Sequence, residues 1–319
     1  MNMKIGLAFE GGGGKGAYQI GVWKALYERG LDKYIAAVSG TSIGAMNAFL
    51  FACGDYELSE QIWTSLTPKQ VFSNHKDGDS YICYRQGYFT REGLNHIFNQ
   101  IDFNSFRSKN MPCYATCLRV DDADGLRVLV DLLGKFTLTD LEMRLKKNPD
   151  VAESVSRIIK QYDKFCDQLS DKSPYKKVPG KTLETLVWSG EVKYFKLNQY
   201  PNEFIREVLL ASSAVPVVFP QTKIEGSYYI DGGIKDNIPI KPLFELENCD
   251  KVLVVLSNPG GIIPQNYSSD KIIEIRSQEE RQRTLGIFDF TKEGILRRIK
   301  QGYDDTLKHL KEFDILFNQ

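Results

Sequence analysis

Residues 35–52 read IAAVSGTSIGAMNAFLFA. Ile35 to Val38 has the length and apolar character of a short buried strand, and Ala45 to Ala52 is small and apolar enough for a buried helix. Between them lies Gly40-Thr41-Ser42-Ile43-Gly44, a G-x-S-x-G pattern at a strand-to-helix turn. A serine there sits on a sharp bend, and the flanking glycines let the chain pass closely beneath it. The helix starting beside Ser42 directs its N-terminal dipole at developing negative charge. The pattern is short, and such Gly/Ser turns arise by chance. Its weight comes from the strand–turn–helix setting.

Upstream, Lys4 to Phe9 is another short apolar run, and Ala17 to Arg29 places Tyr18, Val22, Ala25 and Leu26 at helical spacing, with Gly30 as the stop. Strand, helix, strand, helix over residues 4–52 predicts an α/β fold with a mostly parallel sheet flanked by helices. Between the first strand and helix stands Glu10-Gly11-Gly12-Gly13-Gly14-Lys15-Gly16. Consecutive glycines expose backbone N–H groups and make an anion cradle. A Walker loop fails here, because Phe9 stands where its first glycine belongs and Gly16 replaces the Ser/Thr. A dinucleotide fingerprint fits Gly11, Gly13 and Gly16, yet the acidic residue expected about 20 positions onward is replaced by the SGTSIG turn. An oxyanion hole for acyl transfer is the third reading.

Downstream, Ser227 to Ile230 reads as a strand leading into Asp231-Gly232-Gly233 and then Asp236-Asn237-Ile238-Pro239. An acid at the C-terminal end of a strand lies where open α/β sheets place their chemistry, although Asp-Gly is also a common plain turn. Further strands are expected at Cys113 to Val120, Tyr194 to Leu197, Lys251 to Leu256 and Lys271 to Ile275. Thr90 is read as the cap of a helix over 91–100, and Asn202 as the cap of a helix through EFIREVLLASSA that Pro216 stops. DDADG reads as a hairpin turn into Leu126 to Asp131, and it lacks the ligand pattern of a calcium loop. Residues 121–190 look like a helical insertion or lid. Thr291 to Phe313 reads as a helix.

The 319 residues include 41 basic and 41 acidic side chains, three histidines and six cysteines. At 42% hydrophobic and 26% charged the chain reads as globular. Zero formal net charge argues against nucleic acid as a partner. Cysteines without a CxxC pair read as buried thiols, so the expected location is the cytoplasm. The N-terminal apolar run is too short for a secretory signal. None of His75, His96 and His309 follows Asp231 at a strand end, as a Ser–Asp–His order requires.

An oxyanion-type loop, a serine elbow and a strand-end aspartate thus occur in order, each after a strand. With Gly11-Gly12-Gly13-Gly14-Lys15-Gly16, Gly40-Thr41-Ser42-Ile43-Gly44 and Asp231-Gly232-Gly233, the chain resembles the patatin-like phospholipases. ASSAVPVVFP, Ala211 to Pro220, resembles that family's block ahead of the aspartate motif. The resemblance covers the first 50 residues and about 195–245. It implies a three-layer patatin-like fold, with an acyl hydrolase domain over 1–245 and strands and a helix over 246–319 completing it. It also implies a Ser42–Asp231 dyad with no histidine, metal or cofactor. The oxyanion hole is then drawn from Gly11, Gly12, Gly13 and Gly14, joined by Ile43. Gly40, Gly44, Lys15, Gly16, Gly232 and Gly233 support the motifs. The implied substrate is a lipid or other acyl ester, with transient contact at a membrane surface. Ser80 to Phe89 is an aromatic candidate for that contact, for the acyl groove or for the core, and the tail helix, with Arg297, Arg298 and Lys300 beside its apolar face, reads first as a helix packed on the domain and second as a basic membrane contact. Two rivals stay open: a silent acyl-binding scaffold and a dinucleotide-binding oxidoreductase.

Overall fold

A computed structural model describes residues 3–73, 89–120, 190–216, 218–278, 288–309 and 313. The strands are β1 (Ile5–Phe9), β2 (Ile35–Thr41), β3 (Cys113–Val120), β4 (Glu191–Lys196), β5 (Thr222–Ile224), β6 (Ser227–Asp231), β7 (Lys251–Leu256) and β8 (Ile272–Arg276). The helices are α1 (Ala17–Glu28), α2 (Ile43–Cys53), α3 (Tyr56–Ser65), α4 (Pro68–Val71), α5 (Glu92–Phe98), α6 (Phe103–Lys109), α7 (Asn202–Ser212), α8 (Lys241–Glu245) and α9 (Lys292–Lys308).

The eight strands form one sheet in the order β5-β6-β3-β2-β1-β7-β8, with β4 also paired to β3. From β3 to β8 all neighbours are parallel, while β4, β6 and β5 add an antiparallel end. Both faces are covered. Ile5, Leu7 and Phe9 of β1 and Leu253 and Val255 of β7 join one core with α1, α2, α3, α5, α6, α7 and α9. Ala8, Val252, Val254 and Leu256 join the other with Ile238, Ile240 and Leu243. Burial on two sides explains why these strands read as continuous apolar runs rather than alternating ones. Helix α2 is buried at every residue, as its apolar circumference requires.

Strand β3 positions the site. One edge of it pairs with β4 over Tyr114 to Arg119. The other edge pairs first with β2, through Val38↔Cys113 to Thr41↔Thr116, and then with β6, through Cys117↔Asp231 to Val120↔Tyr228. Because β2 is parallel to β3 and β6 is antiparallel, their C-terminal ends run toward each other along that edge. Ser42 and Asp231 therefore come together at adjacent registers, although 188 residues lie between them in the chain.

The elements match the sequence expectations with shifts at their ends. Arg91, not Thr90, occupies the N-cap of α5, and Pro201, not Asn202, that of α7. Helix α7 ends at Ser212, short of Pro216, because Ser213 to Val215 turn back to receive β6 through the Asp231 N–H···O=C Ala214 bond of 3.0 Å. The hairpin at 121–131, the insertion 121–189 and Ser80 to Tyr88 lie outside the described residues.

Helix α9 lies directly on α1. A Cβ on Gly21 would overlap the Ile299 carbonyl, and one on Gly302 would overlap that of Tyr18, so the two backbones touch. The Tyr18 hydroxyl donates to Asp305 Oδ2 at 3.1 Å across this seam. Ile295 and Ile299 are buried. Arg298, expected among surface cations, is instead 1% exposed and donates to the Asp289 carbonyl at 2.9 Å and to its Oδ2 at 3.0 Å. A desolvated guanidinium is tolerable only when paired in this way, so Arg298 is not offered to a membrane. Gly21→Val should lower unfolding free energy by about 2 kcal/mol or more through overpacking. A urea titration reads this directly, and an unchanged midpoint would contradict the backbone contact.

Candidate active site

Ser42 sits between β2 and α2 at φ 57° and ψ −128°, a conformation L-residues avoid. Such strain costs about 1–3 kcal/mol and persists only where the surroundings impose it. A Cβ on Gly40 would overlap the Gly44 carbonyl, and one on Gly44 would overlap the carbonyls of Phe9 and Glu10. Glycine at both positions is therefore what allows the bend to close on β1. The Ser42 N–H donates to Ser212 Oγ at 2.9 Å, and that hydroxyl donates onward to the Thr116 carbonyl at 2.7 Å. Ser212 thus ties the elbow to β3.

Asp231 ends β6 and is 5% exposed; Ser42 is 8% exposed. The Asp231 carboxylate accepts the Gly233 N–H at 2.7 Å, and the Ser42 hydroxyl is near enough to favour its charged form. Burial pushes the carboxyl from 3.8 up to about 6, opposed by those two groups. Gly232 rests over the Thr116 carbonyl, where a Cβ would clash.

The glycine loop crosses beside this pair, and a Cβ on Gly11 would stand 3.3 Å from Ser42 Cβ. Its short 3-10 turn covers Gly13–Gly16, and its first helical bond is Lys15 N–H to the Gly12 carbonyl at 3.1 Å. The N–H groups before Lys15 precede any intrahelical acceptor, as at every helix start. Gly11 is tied from behind. Its N–H donates to the Asn237 carbonyl at 3.1 Å and so anchors the loop. Gly14 lies against the Asp289 carbonyl, and Gly16 under Ile43 and Trp63. Lys15 Nζ donates to Asn258 Oδ1.

A buried polar chain holds the loop from behind. Trp63 Nε1 donates to Asn47 Oδ1 at 2.9 Å, and Asn47 Nδ2 donates to the Gly16 carbonyl at 3.0 Å and to Gln19 Oε1 at 2.7 Å. Gln19 Nε2 donates to the Glu10 carbonyl at 2.6 Å. Fixing the carbonyls at both ends of the loop fixes its peptide planes. Sequence reasoning missed Asn47, Gln19 and Ser212, but a polar residue in the middle of an apolar helix such as α2 is itself a signal, since buried polar groups require partners.

Glu10 joins three loops. Its Oε2 accepts the Asn258 N–H at 2.8 Å and the Ser257 hydroxyl at 3.4 Å, while Oε1 accepts Asn237 Nδ2 at 3.4 Å. Burial raises its carboxyl to about 7, against the pull of these bonds and of Lys15. Glu10, Gly233, Asp236, Asn237 and Asn258 line a cleft of about 650 Å³, with Ile262 and Pro264 at its rim. Neither Ser42 nor Asp231 lines this cleft; the link to it is Gly233, a lining residue whose N–H donates to Asp231. Among the described residues no group of three His, Cys, Asp or Glu side chains is arranged to hold a metal ion.

The patatin-like phospholipase family matches residues 7–244, and the chain belongs to that family of lipid acyl hydrolases. The fold is also that of the crystal structure of VipD from Legionella pneumophila, at 18% identity and a TM-score of 0.50, over 98% of this chain and 67% of that one. No curated protein sequence matches the chain.

The raised carboxyl of Asp231 has a definite stability sign. The folded state holds this proton more tightly than the unfolded chain, so the group lowers stability as pH rises from about 3.8 to 6, by about 3 kcal/mol in all. Asp231→Asn, which keeps the shape and removes the charge, should therefore match wild type near pH 4 and exceed it in melting temperature above pH 6. A deficit that grows with pH would contradict the desolvated carboxylate.

Proposed function

We propose that the protein hydrolyses carboxylic esters of phospholipids or related lipids, with Ser42 as nucleophile and Asp231 as its base. The observation that carries this reading is the meeting of a buried carboxylate, Asp231 at the end of β6, with a serine at a strained strand-to-helix turn, Ser42 just past the end of β2, on adjacent registers of β3. Ser42 Oγ attacks the acyl carbonyl as Asp231 takes the hydroxyl proton. The carbonyl π electrons move onto oxygen, and that oxyanion accepts hydrogen bonds from the loop N–H groups of Gly12, Gly13 and Gly14, with the Ile43 N–H at the start of α2. Collapse expels the alcohol, which receives the proton from Asp231. Water then attacks the acyl-enzyme, giving its proton to Asp231, and Ser42 leaves with that proton as the fatty acid departs.

A free aspartate near pH 7 is a weak base, and a carboxyl raised to about 6 is a stronger one that remains mostly ionised. That shift lets a carboxylate do what histidine does in a triad. Each oxyanion donor is worth about 2.7–4 kcal/mol of the barrier. The strained turn sets Ser42 beside the glycine loop, and Ser212 holds its backbone there. Family membership supports a lipid as the acyl donor.

The test is turnover of a panel of acyl esters. Ser42→Ala and Asp231→Asn should each lower kcat/KM by about 10³-fold or more while the fold survives. In wild type, kcat/KM should fall tenfold per pH unit below about 6, as Asp231 takes up its proton. Turnover retained in Asp231→Asn would exclude the dyad. Ser212→Ala should lower kcat by about 10- to 100-fold with little change in KM, because it loosens the elbow without touching the ester. A fall confined to KM would contradict that positioning role.

A further inference from the structure

The loop between β7 and β8 leaves the same sheet edge as the elbow and the glycine loop, because β7, β1 and β2 are parallel. Residues 257–267 read SNPGGIIPQNY and carry no charged side chain. The loop is braced: Arg276 Nη1 donates to the Pro259 carbonyl at 3.0 Å and to the Gly261 carbonyl at 2.7 Å, and the Gly261 N–H donates to the Asn258 carbonyl at 3.2 Å. Its two adjacent isoleucines face opposite ways. Ile263 packs on the core beside Phe244 and Tyr267, whereas Ile262 is 81% exposed at the rim of the cleft.

Isolated exposed apolar residues are ordinary on protein surfaces. Ile262 differs in setting. Among the described residues it is the most exposed of the large hydrophobic side chains, and Tyr27, Tyr34, Leu246 and Leu296 all lie outside the cleft lining. One guanidinium braces two backbone carbonyls of this uncharged tip, from which the Ile262 side chain projects. An aliphatic tip without charges enters an acyl-chain boundary at little desolvation cost, and a lipid surface seated on it would face the cleft mouth.

We propose that the Gly260–Pro264 tip is a lipid-docking finger, with Ile262 as its anchor, that seats the cleft mouth on a bilayer surface. This rests on the reading of the site as one that acts on lipid esters. Docking places the ester-bearing layer of the membrane beside Glu10, Asn237 and Gly233, and Gly233 is the residue whose N–H donates to Asp231. The contact supplies access rather than chemistry, so it should affect aggregated substrates and leave dissolved ones alone.

The experiment compares wild type with Ile262→Asp and Ile262→Trp. Sedimentation with phosphatidylcholine vesicles should show about tenfold weaker partitioning of Ile262→Asp. Its kcat/KM on vesicle phospholipid should fall in parallel, while hydrolysis of p-nitrophenyl butyrate below its aggregation limit stays within about twofold. Ile262→Trp should gain an emission component that vesicles shift to the blue and that brominated acyl chains quench, above the signal of the native tryptophans. Equal vesicle partitioning of wild type and Ile262→Asp, or an Ile262→Trp signal indifferent to brominated lipid, would overturn the proposal. So would lipid-free self-association that Ile262→Asp abolishes, since it would assign the tip to a second copy of the chain. The partitioning and quenching measurements need no turnover. Absent hydrolysis of the soluble ester by wild type therefore counts against the proposed function, and lost docking against the finger.

Discussion

Two strands that meet end to end on one edge of β3 hold the site together. Thr41 of β2 faces Thr116, Asp231 of β6 faces Cys117, and the step from one register to the next brings the chain ends into contact. Thr116 is the shared point. Its carbonyl accepts from Ser212, which holds the Ser42 N–H, and it lies beneath Gly232, next to Asp231. A slip of one residue in either pairing would move Ser42 or Asp231 to the opposite face of the sheet. The antiparallel end of an otherwise parallel sheet therefore does more than close an edge. It delivers an acid to the serine from the far side.

The site is assembled against its own local preferences. A serine at positive φ, a carboxyl raised to about 6 and a second raised to about 7 each lower the stability of the folded chain at neutral pH. The surroundings offset this by continuity. Asn47, Gln19 and Trp63 lock the glycine loop from one side, and Asn237, Ser257 and Asn258 lock Glu10 from the other. Arg298 and Asp289 brace the chain against which Gly14 rests, so even the terminal helix α9 bears on the loop. Pre-organisation of this kind is what electrostatic catalysis requires, since donors must already point at a charge that exists only in the transition state.

Most of the frame was legible in the sequence, because strands buried on both faces and helices with strong periodicity announce themselves. The parallel strands around Leu7, Val38 and Val254, the buried helix after Ser42 and the long helix α9 all follow from pattern alone. The three glycine motifs identified the residues that meet. What pattern could not supply was direction in space. The antiparallel return of β6, the role of Ser212 and the burial of Arg298 depend on long-range pairings that leave no local period. Arg298 looked like its neighbour Arg297 in the sequence, and only the structure shows it buried on the carbonyl and carboxylate of Asp289. The tie at Gly11 is of the same kind. Nothing in a run of four glycines shows which N–H an asparagine carbonyl from residue 237 will occupy.

The central claim is that Asp231 activates Ser42 directly. A fluorophosphonate probe followed by peptide mapping measures this without any assumption about the lipid. The account predicts modification at Ser42 alone, at a rate that rises with the ionisation of a group near pH 6 and drops by orders of magnitude in Asp231→Asn. Labelling of Asp231→Asn at the wild-type rate, or labelling insensitive to pH between 5 and 8, would contradict it.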